Sequence, residues 1–256
     1  MVELKSKREM EIMKEACKIA NLTQKEVEKH IKPGISTIEL DRIAENFIKA
    51  QKALPAQKNY PHPEKGVKPF PATLCISIND TVIHGIPSKK IILKNGDIVS
   101  VDLVVFKNGF HGDCARTYIV GEASPEAKKL VDITKQAFFE GIKYAKAGNR
   151  IGDVSHAIGE FVNKNGYSVV KEFEGHGIGR QMHEEPAVPN YGKAGKGVRL
   201  TPGMTIAVEP MVIMKDARIC ELEDGWTIVT EDGSLAAHYE NTILITEKEP
   251  EILTIL

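Results

Sequence analysis

The sequence predicts an α/β fold of the α+β kind. It would be one domain over residues 1–256, in two pseudo-symmetric halves of about 1–121 and 122–256. A curved antiparallel sheet would lie at the centre, with helices on its outer face. Three observations point there. Helical patterns and strand-like runs come in the same order twice. The two sets of blocks share residues at matching positions. Acidic residues stand within or at the ends of otherwise apolar strand-like runs.

Taken in order, residues 7–30 carry Met10, Ile12, Met13, Ala16, Ile19 and Ala20 at helical spacing, and Lys32-Pro33-Gly34 ends the pattern. Ser36 or Thr37 can cap a second helix through Leu40, Ile43, Ala44, Phe47 and Ile48. Gln51 to Pro71 contains Pro55, Pro61, Pro63, Pro69 and Pro71 and reads as a long loop, functional or mobile by its length. Its prolines make it a semi-rigid flap. Lys58, Lys65 and Lys68 should be solvated, and the flap should rim a cleft without touching the metals inside it. Strand-like runs follow at Thr73–Ile78, Ile98–Phe106 and Thr117–Val120. Helical patterns return at about 125–146 and 152–164. The later runs Tyr167–Glu172, Thr205–Met214, Trp226–Thr230 and Tyr239–Thr246 read as strands, and Gly192 to Gly203 as a loop.

The halves repeat. Gly34 and Phe47 match Gly148 and Phe161 at one offset, 148 − 34 = 161 − 47 = 114. His84-Gly85-Ile86 matches His176-Gly177-Ile178. Gly96 and Asp102 match Gly203 and Glu209, at 209 − 102 = 107, and His111-x-Asp113 matches His238-x-Glu240. The order is kept while the offsets change, as duplication followed by insertions and deletions would leave it. A pseudo-two-fold would bring the equivalent residues together, pairing Asp102 with Glu209, Asp113 with Glu240 and His84 with His176.

Carboxylates amid apolar neighbours do not stay ionised without partners. Four together would repel and raise one another's pKa. Two divalent cations would balance them charge for charge. Carboxylates with an imidazole suit Mn, Fe(II), Co or Zn, and a two-metal site of this kind is a hydrolase centre. Asp102 and Asp113 flank a turn at Lys107-Asn108-Gly109, so a hairpin would bring them face to face. The bland alternatives stay open at this point. Asp113 and Glu240 also read as exposed strand residues, and His84 and His183 as turn or loop residues. His111 and His238 read as structural. Asp80, Glu184 and Glu185 read as surface charge.

Composition narrows the field. With 27% charged residues and a net charge of −1, no basic field marks a nucleic-acid binder. No apolar run approaches the roughly 20 residues of a membrane span, and Met1-Val2-Glu3-Leu4-Lys5 lacks the apolar core of a signal peptide. Cys17, Cys75, Cys114 and Cys220 form no CxxC and fit reduced thiols in the cytoplasm.

These residues carry a resemblance. Ser77-Ile78-Asn79-Asp80 with His84-Gly85-Ile86-Pro87, Val101-Asp102 through Gly109-Phe110-His111-Gly112-Asp113, and Gly175-His176-Gly177-Ile178-Gly179 are three of its pieces. The others are His183-Glu184-Glu185-Pro186, Glu209-Pro210 and Tyr239-Glu240-Asn241-Thr242. Over nearly its whole length the chain resembles type I methionine aminopeptidases, of the pita-bread fold shared with prolidases and aminopeptidase P. The 209 − 176 = 33 residues from His176 to Glu209 leave no room for the helical insertion of the type II enzymes. No prolidase-type N-terminal domain is visible, and the segment 51–70 is longer than the type I pattern has it.

The resemblance implies removal of an N-terminal methionine ahead of a small second residue, with two divalent cations as cofactor. It implies Asp102, Asp113, His176, Glu209 and Glu240 as ligands, with Asp113 and Glu240 bridging. Glu209 would also be the general base, His183 would stabilise the oxyanion, and His84 would steady the substrate nitrogen or the departing amide. Phe70, Cys75, Met182 and Trp226 would shape the methionine pocket. The implied partners are nascent N-termini, with the ribosome as a place of encounter, for a monomer without direct nucleic-acid or membrane contact. An Xaa-Pro peptidase and a metal-free binding protein of the same fold are the competing readings.

Overall fold

The computed structural model describes residues 2–255. Helix α1, Lys7–Glu28, starts at a reciprocal cap. The Ser6 backbone N–H donates to Glu9 at 2.8 Å, and the Glu9 N–H donates to the Ser6 hydroxyl at 3.4 Å. Helix α2, Thr37–Ala50, buries Leu40, Ala44 and Ile48, four residues apart on one stripe. Helix α3, Pro125–Ile142, has Ser124 as its cap, and helix α4, Ile151–Lys164, buries Val154, Ile158 and Val162.

The repeat extends to the hydrogen bonds. The buried stripe of α4 is that of α2 shifted by 154 − 40 = 114. Glu39 accepts the Ser36 N–H at 3.0 Å, and Asp153, at the equivalent place, accepts the Arg150 N–H at 2.8 Å. Gly34 and Gly148 both have φ of 92°, where a side chain would be strained. Their N–H groups donate to Leu93 and Leu200 at 2.8 and 2.9 Å. Each half has its own core. One packs Ile19, Leu40 and Ile48 against Leu74, Val101 and Leu103. The other packs Leu130, Phe138 and Ile158 against Ile206, Val208 and Ile243. Burial of these side chains, at roughly 1.5–3 kcal/mol each, is the main force holding helices to sheet.

All named strand pairings are antiparallel. In the first half a hairpin, Ile98–Lys107 and Phe110–Ile119, takes Cys75–Ile78 along its other edge. In the second half, Thr205–Val208 lies between Asn241–Leu244 and Gly175–Gly177. The halves are stitched at the centre, where Ala115 and Glu240 exchange backbone hydrogen bonds of 3.4 and 3.0 Å. Beside them the Asp113 N–H donates to the Thr242 hydroxyl at 3.0 Å, and that hydroxyl donates to the Asp113 carbonyl at 2.9 Å.

Several expected strands differ. The run expected at Thr117–Val120 starts at Phe110, which places Asp113 inside a strand. Tyr167–Glu172 shrinks to Ser168–Val169. Thr205–Met214 breaks after Val208 and resumes at Met211, and Tyr239 and Glu240 fall between Ala236–His238 and Asn241–Leu244. Within the long loop, Leu54 and Pro55 pair with Phe106 and Val105, on an edge where the missing proline donor costs no ladder bond. No helix among the described residues is long and apolar enough to cross a membrane.

Candidate metal centre

Pleat alternation sets the first two carboxylates. Asp102 lies opposite Cys75 on one side and Ala115 on the other, and Asp113 lies opposite Val104. Residues two apart share a face, so Asp102 and Asp113 are diagonal neighbours on one face rather than directly opposed.

Glu209 and Glu240 are set differently. Val208 pairs with Asn241 in one sheet and Met211 with His238 in the next, so two strands step between sheets at the same level. Glu209-Pro210 and Tyr239-Glu240 form the step, held by the Tyr239 N–H donating to the Pro210 carbonyl at 3.3 Å. The step releases both acids from the pleat, and both line the cleft.

His176 arrives on the short strand Gly175–Gly177. A Cβ at Gly175 would lie 2.4 Å from the Ala207 carbonyl, and one at Gly177 would lie 2.2 Å from the Glu185 carbonyl. Only glycine therefore lets the backbone approach this closely. The His176 Nδ1 lies 2.9 Å from the Gly177 carbonyl oxygen, so Nδ1–H donates there and Nε2 is left bare. That Nε2 stands 3.9 Å from Asp113 and 3.6 Å from Glu209. Asp113, His176 and Glu240 offer ligand atoms all within 4.8 Å of one another.

The electrostatics match the geometry. Burial first, then the neighbouring acids, raises Asp113, Glu209 and Glu240 well above the usual carboxylate range. Burial raises Asp102 to about 7. Burial also lowers His176 to about 3, which keeps its ring neutral and able to ligate. One oxygen each of Asp113 and Glu240 is buried without a hydrogen-bond partner among the described residues. Buried acceptors rarely go unpaired. Hard oxygen donors with one bare imidazole nitrogen, two of the oxygens unpartnered, fit divalent cations.

The eleven residues singled out from the sequence all line one cavity of about 640 Å³. Phe70, Cys75 and Met182 are buried in its wall. Trp226 packs edge-on to Phe70, with ring centroids 5.3 Å apart, and Trp226 and Phe173 also pack edge-on to His84 at 6.1 and 5.6 Å. His84 sits in the left-handed region, φ 58°, and is fixed by Gly85, whose carbonyl accepts the Ile76 N–H at 2.8 Å. Burial lowers its pKa to about 4. His183 is exposed at the cleft, its ring centroid 4.4 Å from that of His176.

Other expectations need correction. The long loop, expected as a rim, lines the cleft wall with Gln57, Tyr60, Pro61, His62 and Pro63. Gln57 is buried and lines the same cavity as Asp102, and the Tyr60 hydroxyl lies 2.6 Å from His183 Nδ1. Lys58 is not a solvated tip, because it pairs with Glu45 of α2 at 2.8 Å. Glu184 is not surface charge, because its side chain is buried against Lys5. His238, read as structural, is buried with Nε2 3.7 Å from Glu209. Its only sequence signal was its place in the repeat. Gln57, His62 and Phe173 line the cleft with no periodic signal to mark them.

An antiparallel two-half fold around such a cleft has the makings of a metal-dependent hydrolase. The chain belongs to metallopeptidase family M24, whose family model matches residues 11–247. It is 50% identical over 255 residues to the methionine aminopeptidase of Clostridium acetobutylicum, spanning 100% of this chain and 99% of that protein. The structure is similar to that of the methionine aminopeptidase of Thermotoga maritima, with TM-score 0.95 at 44% identity and 100% of each chain covered. The prolidase of Pyrococcus furiosus, 24% identical, shares the fold at TM-score 0.77, and this chain covers 65% of it.

Proposed function

We propose that this chain removes the N-terminal methionine from nascent proteins and peptides whose second residue is small. The observation that carries the proposal is the single cleft in which a converging acid–imidazole set meets an apolar wall of Phe70, Cys75, Met182 and Trp226. An unbranched thioether fits such a wall.

Asp102, Asp113, His176, Glu209 and Glu240 would hold two divalent cations drawn from Co, Mn, Fe(II) and Zn. When bound, the cations would lower the pKa of the attacking water and polarise the scissile carbonyl. Glu209 takes the proton from that water. His183 donates to the carbonyl oxygen as negative charge develops on it. His84, neutral in its fixed pose, orients the amide nitrogen that departs. The wall holds the methionine so that its carbonyl lies over the acids. Selection of a small second residue is steric. The protein would act as a cytoplasmic monomer on newly made chains, at or near the ribosome. Metal-stripped protein, reloaded with each of the four metals, should release methionine from a Met-Ala peptide and leave Ala-Pro intact. Cleavage of Ala-Pro instead would favour the Xaa-Pro peptidase.

A further inference from the structure

We propose that Tyr60 is a positioning residue, whose phenol holds His183 in the tautomer that presents Nε2–H to the substrate carbonyl. The proposal rests on the role assigned to His183 above. The phenol oxygen is 2.6 Å from His183 Nδ1, and the rings meet edge-on with centroids 5.3 Å apart. A neutral imidazole has one N–H and one bare nitrogen. The phenol has no other acceptor among the described hydrogen bonds, and we assign its proton to this contact with Nδ1. With Nδ1 accepting, the ring proton belongs on Nε2, the nitrogen left to face substrate.

The proline-rich arch fixes Tyr60. Its N–H donates to the Gln57 carbonyl at 2.9 Å, and its carbonyl accepts the Phe70 N–H at 2.9 Å. Farther along, Trp226 Nε1–H donates to the Lys68 carbonyl at 2.9 Å, which clasps the arch to the second half. His183 has no comparable anchor. Among the described hydrogen bonds its ring makes only the one to Tyr60. The arch therefore does more than rim the cleft, because it carries the group that orients His183.

The test is Tyr60→Phe, which keeps the ring and removes the donor. Zinc-loaded, diamagnetic protein would be labelled with ¹⁵N in its histidine rings, and His183 assigned by the signals missing from His183→Ala. The parent should show His183 Nε2 protonated and Nδ1 bare, and Tyr60→Phe should show the two nitrogens averaged between tautomers. Turnover, kcat, should fall about tenfold, the worth of one hydrogen bond to a reacting centre, with KM and metal content within about twofold. Added to His183→Ala, the Tyr60 change should have no further effect. A protonated Nδ1 in the parent, an unchanged His183 spectrum in Tyr60→Phe, or full additivity in the double variant would overturn the proposal. Parental activity in His183→Ala would instead sink the His183 role itself.

Discussion

Asp113 and Glu240, one from each half, each bury a carboxylate oxygen that no donor among the described residues reaches, and with His176 they offer ligand atoms within 4.8 Å. The backbone seam between Ala115 and Glu240 holds them at this distance. The chain thus keeps mutually repelling acids together at the line where its halves join, and a countercharge there should contribute to folding as well as to chemistry.

Metal removal should therefore lower the melting temperature. Saturation at about 100 times Kd adds roughly 2.7 kcal/mol, or about 5–10 °C for a chain of this size. Melting in a chelator, and again after Mn or Co is restored, measures it. An unchanged midpoint would mean that the acids do not depend on a cation.

Glu209→Gln preserves shape while removing the base. Its kcat should fall below about a tenth of the parent's, a barrier rise of more than roughly 1.4 kcal/mol. Steady-state kinetics at saturating metal gives the number, and a smaller loss would place the base elsewhere.

His183→Ala should reduce kcat/KM by about 10² through loss of an oxyanion donor, with bound metal unchanged. Metal analysis of the purified variant is the control. Loss of metal would make His183 a ligand.

Much of this was legible in the sequence, for physical reasons. Leu40, Ala44 and Ile48 and their counterparts Val154, Ile158 and Val162 advertise buried helix faces by their period. Glycines around His176 and the acids within apolar runs mark a site because few other roles tolerate them. The steps at Glu209-Pro210 and Tyr239-Glu240 were hidden, because an apolar run that changes sheets looks like one that continues. Contacts of Tyr60 and Glu184 were hidden too. Each joins residues far apart in the chain, with no local pattern to announce the partner.

Lys5 and Glu184 illustrate the last point, since their side chains are only 4% and 7% exposed. Lys5→Ala leaves the buried Glu184 carboxylate without its countercharge, with only the Gln181 N–H at 3.1 Å left to it, and should destabilise the protein by about 3–5 kcal/mol. Lys5→Met with Glu184→Leu should recover most of that loss. Denaturant melts of both variants decide it, and a loss of less than about 1 kcal/mol for Lys5→Ala would show the pair to be solvated.

The convergence of the five donors is tested most directly by calorimetric titration of Co or Mn into metal-stripped protein, beside its Glu240→Ala variant. The parent should take up two ions per chain, and the variant should lose at least one of them or bind both far more weakly. Equal stoichiometry and affinity in the two proteins would contradict a centre built on Glu240 and its neighbours.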